Sequence, residues 1–218
     1  MSLTGWLLDR AADLKGAVET RWLRRRWERL RKLGMHIGEG VNLPPSTTID
    51  TSHCFLISIG DWCGFGSDCV ILAHDGQFDE FLDAGRIGRV VIHAHSHIGA
   101  RSVILAGVEI GPRTIVGANS VVTRSLPPDT VCAGNPAKVI CSLDEYLDRH
   151  RAAMKERPTF PYMQYDIRFL TPERKAELVR AVADGDAYLV GGFTATLSGR
   201  GGMPTTAFRA GSRQGAGR

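Results

Sequence analysis

A large apolar residue recurs at every sixth position through the middle of this chain. The longest run continues without a slip for six repeats, and two runs of three precede it. The anchors are Ile37, Leu43, Ile49; Ile59, Phe65, Ile71; and Ile92, Ile98, Ile104, Ile110, Val116, Val122. An α-helix repeats every 3.6 residues and a strand every two, so neither gives this spacing. The spacing therefore indicates a repeat architecture rather than a helix bundle or a simple sheet.

Each repeat also has a second, smaller inward position. The residue two before the next anchor is small in almost every repeat: Val41, Thr47, Cys63, Cys69, Ser102, Val108, Thr114 and Ser120. Positions two apart share one face of an extended segment, so each repeat offers one small and one large inward side chain. Glycine often follows the anchor, and we expect it to turn a corner there. Three repeats then make a triangular coil, and stacked coils make a parallel β-helix, which is a mainly β fold.

The repeat breaks between Ile71 and Ile92. These anchors are 21 residues apart, three more than a coil of three repeats, and the segment between them has no anchor at the expected steps. Its charges and glycines predict a loop that protrudes from the coil over about 73–91. His74 lies where the last regular strand enters this loop. It is therefore a candidate functional residue, with a structural role at the loop root as the alternative.

The segment "IGARSVILAGVEIGPRTIVGANSVVTRSLPPDTVCAGNPAKVI" resembles the hexapeptide-repeat acyltransferases. The resemblance covers 35–141 and implies a left-handed parallel β-helix, usually a homotrimer with active sites between protomers, that uses acetyl-CoA. The left-handed sense rests on the resemblance alone, because the general rule for parallel crossovers gives the opposite hand. The stretches "SHCFLISIGDW", "ILAHDG" and "SLDEYLDRHRAAMKERP" are most similar to sugar acetyltransferases of surface-polysaccharide biosynthesis. They imply transfer of an acetyl group to a hydroxyl or amine of a sugar or sugar nucleotide.

The same resemblance implies a set of site residues. His74 matches the general base that takes a proton from the acceptor during direct attack, and imidazole titrates near neutral pH. Asp75 is a candidate to orient that imidazole or to contact the acceptor, with a plain loop carboxylate as the alternative. For the donor, small residues of successive coils match Ala100 and Ala118, which are 18 residues or one coil apart. The positions that match the adenosine and phosphate contacts are Thr123, Arg124 and Lys138.

Two further functions are open from the residues. His93, His95 and His97 alternate, so they would share one face of an extended strand and could hold zinc. Ligands spaced along one strand rarely close a tetrahedral shell, so no metal is expected. A related alternative is a metal enzyme like the γ-type carbonic anhydrases, whose histidine ligands are spaced more widely than His74 and this cluster. The third alternative is a non-catalytic β-helix scaffold, which would give the protruding loop no evident purpose.

Helical segments are predicted on both sides of the coil. Residues 1–34 form a basic amphipathic helix that caps the open end of the β-helix or, alternatively, makes a peripheral contact with a membrane surface. Residues 142–198 form a helical extension, with Ser142 and Glu145 as a capping box and a second helix from Thr171 to near Gly185. Residues 199–218 are predicted to be a disordered basic tail.

Composition narrows the cellular setting. The five cysteines include no CxxC pair and no apolar signal region precedes them, which favours a cytoplasmic protein with free thiols. The basic N-terminal segment extends this prediction to the inner face of the membrane. The net charge of +4 is modest, and no further feature supports nucleic-acid binding.

Overall fold

The computed structural model describes residues 25–193, in which three parallel sheets form the sides of a triangular β-helix. The first sheet contains β1 (His36–Ile37), β3 (Ile57–Ile59), β8 (Val90–Ile92) and β11 (Glu109–Ile110). The second contains β2 (Thr48–Ile49), β5 (Val70–Ile71), β10 (Val103–Ile104) and β13 (Val121–Val122). The third contains β4 (Gly64–Phe65), β9 (His97–Ile98), β12 (Ile115–Val116), β14 (Thr130–Ala133) and, antiparallel to β14, β15 (Lys138–Ser142). The mainly β, parallel architecture is as expected, and its left-handed sense stays a prediction.

Anchors stack directly on anchors from coil to coil. In the first sheet Ile92 pairs with Ile59 on one side and with Ile110 on the other, and the second and third sheets repeat this register. The anchors from Leu43 to Val122 are buried, as are all the small inward residues of the repeats. The buried hydroxyls of Ser102, Thr114 and Ser120 donate to backbone carbonyls, as Ser102 Oγ does to Gly117 O at 3.1 Å, whereas the buried hydroxyl of Thr47 has no partner among the described residues. The predicted pairing of a large and a small inward residue is therefore confirmed.

The glycines that follow the anchors do not turn the corners. The left-handed backbone lies instead three residues after the anchor, at His95, Arg101, Gly107, Arg113 and Asn119. Gly60 shows what these glycines do, because a Cβ on it would lie 2.6 Å from the backbone nitrogen of Ala94 in the next coil. The prediction that these glycines turn the corners was therefore wrong. Glycine is needed at positions such as Gly60 because the backbone of the neighbouring coil leaves no space for a Cβ.

Two loops leave the coil at the same corner, between the second and first sheets. The longer one contains the antiparallel strands β6 (His74–Asp75) and β7 (Arg86–Ile87), with the short helix α2 (Asp79–Leu82) between them. The coil resumes at the buried Val90, so this loop covers 73–89 and is slightly shorter than predicted. The shorter loop follows β2 over 50–56 and includes a 3₁₀ turn at Cys54–Leu56.

Both ends of the β-helix are covered. At the first coil, the helix α1 (25–32 of the described residues) buries Trp27 and Leu30 in the common core. Arg31 Nη2 also donates to the carbonyl of Ile37 at 3.0 Å. At the far end the chain folds back: Leu126 bridges to Ile110, and β15 covers the edge of β14. The described part of the N-terminal segment thus caps the coil, whereas its contact with a membrane stays a prediction.

The described residues divide into two compact units, 25–143 and 144–193. The helical extension contains α3 (Leu143–Glu156), α4 (Tyr162–Tyr165) and α5 (Pro172–Ala181), a 3₁₀ turn at Ile167–Phe169, and a parallel pair, β16 (Thr159–Pro161) and β17 (Tyr188–Val190), which was not predicted. The backbone N–H of Arg174 donates to the hydroxyl of Thr171, which is the N-cap of α5. That helix ends at Ala181, before the predicted Gly185. Residues 1–24, the tail predicted for 199–218, and 194–198 lie outside the described residues.

Among residues 25–193, no helix combines the length and the apolar character that crossing a membrane requires.

The close approach of the coils predicts that adding a single methyl group at Gly60 destabilises the fold. Replacing Gly60 with Ala should lower the free energy of unfolding by about 1–3 kcal/mol, because the new Cβ meets rigid backbone of the next coil. Gly76→Ala is the matched control, since nothing lies within 4 Å of a Cβ there, and its effect should stay within about 0.5 kcal/mol. Denaturant unfolding of both variants measures this, and equal stabilities would contradict the assigned role.

Candidate functional site

The register of the second sheet brings together the roots of the two loops. β2 pairs with β5, so Ile49 lies beside Ile71, and the backbone N–H of Asp50 donates to the carbonyl of Ile71 at 2.9 Å. Asp50 therefore enters the short loop next to the point where His74 enters the long one. The two residues are 24 positions apart in the sequence and adjacent in space.

Asp50 and His74 form a direct side-chain contact. Nδ1 of His74 lies 2.6 Å from Oδ2 of Asp50. The Asp50 side chain is only 2% exposed, whereas that of His74 is 46% exposed. A buried carboxylate thus holds one nitrogen of an imidazole whose ring remains open to solvent. Sequence reasoning missed Asp50, although a signal existed: the anchors Ile49 and Ile59 are ten residues apart instead of six.

Hydrogen bonds keep the Asp50 carboxylate ionised in spite of its burial. Burial by itself raises the pKa of this carboxyl, but hydrogen bonds from Ser52, His74 and the backbone N–H of Ala73 outweigh it and hold the pKa well below its usual range. Ser52 Oγ donates to Oδ1 at 2.6 Å, and Ala73 N donates to Oδ2 at 3.1 Å. An ionised partner at Nδ1 fixes the proton of a neutral imidazole on that nitrogen, so Nε2 carries the free lone pair. This arrangement suits a general base.

Asp75 lies at the same loop root but faces elsewhere. Its Oδ1 accepts a hydrogen bond from the backbone N–H of Gln77 at 3.0 Å, an interaction that shapes the loop locally. The carboxylate that contacts the imidazole is therefore Asp50 and not Asp75. Neighbouring residues of an extended strand point to opposite sides, which explains why the residue next to His74 in the sequence is not its partner.

A second histidine completes the cluster. Nδ1 of His53 lies 3.0 Å from Ser52 Oγ, and the rings of His53 and His74 are 5.1 Å apart between centroids. Asp50, His53 and His74 each offer one potential metal-ligand atom, and these atoms lie within 4.8 Å of one another. Within 25–193, which includes every histidine of the chain, this is the sole group of three that meets such a criterion.

The histidines at 93, 95 and 97 do not come together. His95 has a left-handed backbone at a corner, so the three are not on one extended strand. His93 Nε2 lies 2.5 Å from Oε1 of Glu109, while Nδ1 of His97 is close to Gly64. The predicted shared face was therefore wrong, because a corner separates the first histidine from the last.

The residues proposed for the donor lie at two different corners. Ala100 and Ala118 occupy the corner between the third and second sheets, where Asn119 N donates to Ala100 O at 2.9 Å across successive coils. Lys138 belongs to this corner, since it pairs with Ala133 beside Gly117. The exposed Thr123 and Arg124 follow β13 and so share the corner of His74.

A groove of about 420 Å³ runs along the third sheet and ends at Ala118. It is lined mainly by glycines and apolar residues in and next to β4, β9 and β12, together with Asn42 and His97. Burial, with a smaller contribution from His95, lowers the pKa of His97 and so favours its neutral form. Ala118 is exposed at the end of this groove, and Ala100 is half-buried in the coil beside it. A single chain does not bring this groove to His74, because a whole sheet separates their corners.

Residues 89–124 match the family model described as "Bacterial transferase hexapeptide (six repeats)". The chain carries this hexapeptide repeat. "Putative acetyltransferase YvoF" of Bacillus subtilis (strain 168) is 32% identical over 117 residues, which are 54% of this chain and 66% of that protein. The 2,3,4,5-tetrahydropyridine-2,6-dicarboxylate N-acetyltransferase of Clostridium perfringens (strain SM101 / Type A) is 54% identical over 48 residues, 22% of this chain and 20% of that protein. The matches thus span less than two thirds of these relatives.

A solved structure with the same repeat is that of the hexapeptide-repeat containing acetyltransferase VCA0836 from Vibrio cholerae O1 biovar eltor, complexed with acetyl coenzyme A. The two sequences are 25% identical where the structures align. The alignment covers 55% of this chain and 77% of that chain, and the TM-score is 0.43. A maltose O-acetyltransferase structure from Clostridium difficile 630 is 23% identical, with 59% and 84% covered and a TM-score of 0.44.

The contact between Asp50 and His74 predicts the tautomer of the imidazole. In the native protein, ¹⁵N NMR should show that the neutral imidazole of His74 carries its proton on Nδ1. Asp50→Asn should move it to Nε2, because an amide can donate to Nδ1 where a carboxylate can only accept. Asp75→Asn is the matched control and should leave the tautomer unchanged. A native His74 with its proton on Nε2 would contradict the geometry.

Proposed function

We propose that this protein is an acetyl-CoA-dependent acetyltransferase in which His74 acts as the general base. The observation that carries the proposal is the buried, ionised Asp50 that holds Nδ1 of a half-exposed His74 at the root of a protruding loop. The names of the hexapeptide-repeat relatives support acetyl transfer as the class of reaction. A passive scaffold would give no reason to bury a charged carboxylate against an exposed imidazole.

The proposed reaction is a direct attack with both substrates bound. Nε2 of His74 takes the proton of the acceptor hydroxyl or amine as that oxygen or nitrogen bonds to the thioester carbonyl carbon. The tetrahedral intermediate then collapses, its carbon–sulfur bond breaks, and CoA leaves as the thiolate. The imidazolium formed in the first step lies against ionised Asp50, which stabilises it. The proton then passes from Nε2 to the thiolate or to solvent, and the base is restored.

The acetyl-CoA site proposed here lies in the groove that ends at Ala118. Small side chains at Ala100 and Ala118 leave room for the pantetheine arm, and Lys138 at that corner offers a positive charge to the phosphates. Thr123 and Arg124 lie at the corner of His74 instead. If both sets act on one donor, they come from different copies of the chain. This division between corners supports a homotrimer in which each active site forms between protomers.

The acceptor proposed is a sugar or a sugar nucleotide. This rests on the resemblance of "SHCFLISIGDW" and "ILAHDG" to sugar acetyltransferases, and each stretch includes part of one of the two loops that meet at His74. In this proposal the acceptor lies against the two loops, where the Ser52 hydroxyl and the His53 ring can bond sugar hydroxyls. A cytoplasmic enzyme whose basic N-terminal helix contacts the membrane surface would meet such acceptors there.

Replacing His74 with Ala should lower acetyl transfer by about 10²–10⁴-fold, because no other group takes the acceptor proton. Binding of acetyl-CoA should be nearly unchanged, at about one site per chain. Transfer is measured as CoA thiol released with a panel of sugars and amino sugars, and binding by titration calorimetry. His36→Ala, which removes an exposed histidine outside the cluster of Asp50, His53 and His74, is the control. Full turnover without His74 would contradict its role, and no acetyl-CoA binding by the native protein would overturn the function.

Sites built from two chains should be restored by mixing two inactive proteins. Ala118→Trp fills the donor groove and His74→Ala removes the base, so each variant alone should be inactive. In co-expressed mixed trimers, about one quarter of the sites join an intact His74 of one chain to an intact Ala118 of another. Recovery of about that share of native turnover is expected.

The matched control for this mixture combines His74→Ala with Asp50→Asn. These two residues belong to the same corner of one chain, so no mixed site contains both intact, and turnover should not rise above that of Asp50→Asn alone. Recovery in the control, or none in the test mixture, would show that the corners do not combine between chains.

A further inference from the structure

Three metal-ligating side chains meet where the two loops leave the coil. Asp50, His53 and His74 offer a carboxylate oxygen and two imidazole nitrogens within 4.8 Å of one another. The proton transfer itself uses only Asp50 and His74, and the contact proposed between His53 and an acceptor hydroxyl does not require His53 to lie beside them. Its Nδ1 is nevertheless held 3.0 Å from Ser52 Oγ, the hydroxyl that also fixes the Asp50 carboxylate.

This donor set is one that Zn²⁺ favours. Zinc binds imidazole nitrogen and carboxylate oxygen at about 2.0–2.2 Å, which places the ligand atoms of a tetrahedron about 3.3 Å apart. Oδ2 of Asp50 and Nδ1 of His74 are 2.6 Å apart in a hydrogen bond, so they must separate by about 0.7 Å to admit the ion, and the third ligand atom lies within 4.8 Å of both. Both imidazoles are partly exposed, so they have room to move toward an ion. Three protein ligands leave the fourth position to water.

The carboxylate is held in place for such a role. The backbone N–H of Ala73 donates to Oδ2, and both the N–H and the hydroxyl of Ser52 donate to Oδ1. Groups that orient a ligand in this way raise its affinity for a metal, typically by 10- to 100-fold. The Asp50 side chain is also nearly inaccessible to solvent, at 2% exposed. A carboxylate oxygen in a fixed position thus faces two imidazoles that have room to move.

We propose that Zn²⁺ binds Asp50, His53 and His74 and that the bound ion switches off His74 as a base. The inhibition follows whichever nitrogen of His74 coordinates. If zinc takes Nε2, the lone pair needed for proton abstraction is occupied. If zinc takes Nδ1, the proton of the neutral ring moves through solvent to Nε2 and occupies that lone pair instead. Zinc and the acceptor proton therefore compete for one imidazole.

The binding site is tested with zinc alone. Zinc chloride titrated into the metal-free, full-length protein should show one site per chain by calorimetry. His53→Asn should weaken that site at least about 10-fold, as expected for the loss of a ligand. His95→Asn is the matched control, because it removes a histidine outside the cluster and asparagine tolerates the left-handed backbone there. Unchanged zinc affinity in His53→Asn, or no binding by the native protein, would overturn the site.

The regulatory part rests on the proposed acetyl transfer and has its own readout. Transfer by the native protein should fall over the same zinc concentrations that fill the site and return when EDTA is added. His53→Asn should need at least about 10-fold more zinc for the same inhibition. Bound zinc that leaves transfer unchanged or raises it would overturn the inhibition. If no acceptor supports transfer, the proposed function fails, while calorimetry still decides whether the metal site exists.

Discussion

Backbone pairing between successive coils is the interaction on which the rest of the molecule depends. Each strand is only two or three residues long in most coils, so its stability comes from hydrogen bonds to the coils above and below it. Ile49, Ile71 and Ile104 stay in register although the loops between them differ in length. The coil therefore continues wherever the chain after a loop pairs again with the strand of the neighbouring coil. The insertions therefore change the surface of one corner and leave the core unchanged.

The same pairing solves an electrostatic problem at the site. A buried charge is costly unless several donors satisfy it. Asp50 lies at the end of a paired strand, so the backbone of the next coil, at Ala73, is already placed to donate to it. Ser52 supplies the remaining donors from the short loop. The charge is thus stabilised by groups that the fold holds in place, and His74 receives a partner whose position does not depend on the mobility of a surface loop.

The sequence was informative wherever the repeat determined the structure. The six-residue spacing predicted the parallel coils, the small inward column and the protruding loop, because each follows from which positions face inward. Asp50 could not be found in the same way, since its importance comes from stacking between coils. The spacing of the anchors carries one signal of it: the repeat breaks after Ile49 and again after Ile71, 22 residues later and at the same corner. The role of the glycines was hidden for a similar reason, because their constraint lies in the neighbouring coil.

The covered ends of the coil have a consequence for how copies of this chain can associate. A parallel β-helix with bare ends offers strand edges that another molecule can extend into a fibre. Here Arg31 donates a hydrogen bond to a backbone carbonyl of the first coil, while Leu126 and β15 pair with the last strands. Growth along the axis is thereby disfavoured. Association by rotation about an axis can close into a ring, whereas end-to-end stacking cannot, so the covered ends of the β-helix favour a finite particle over a filament.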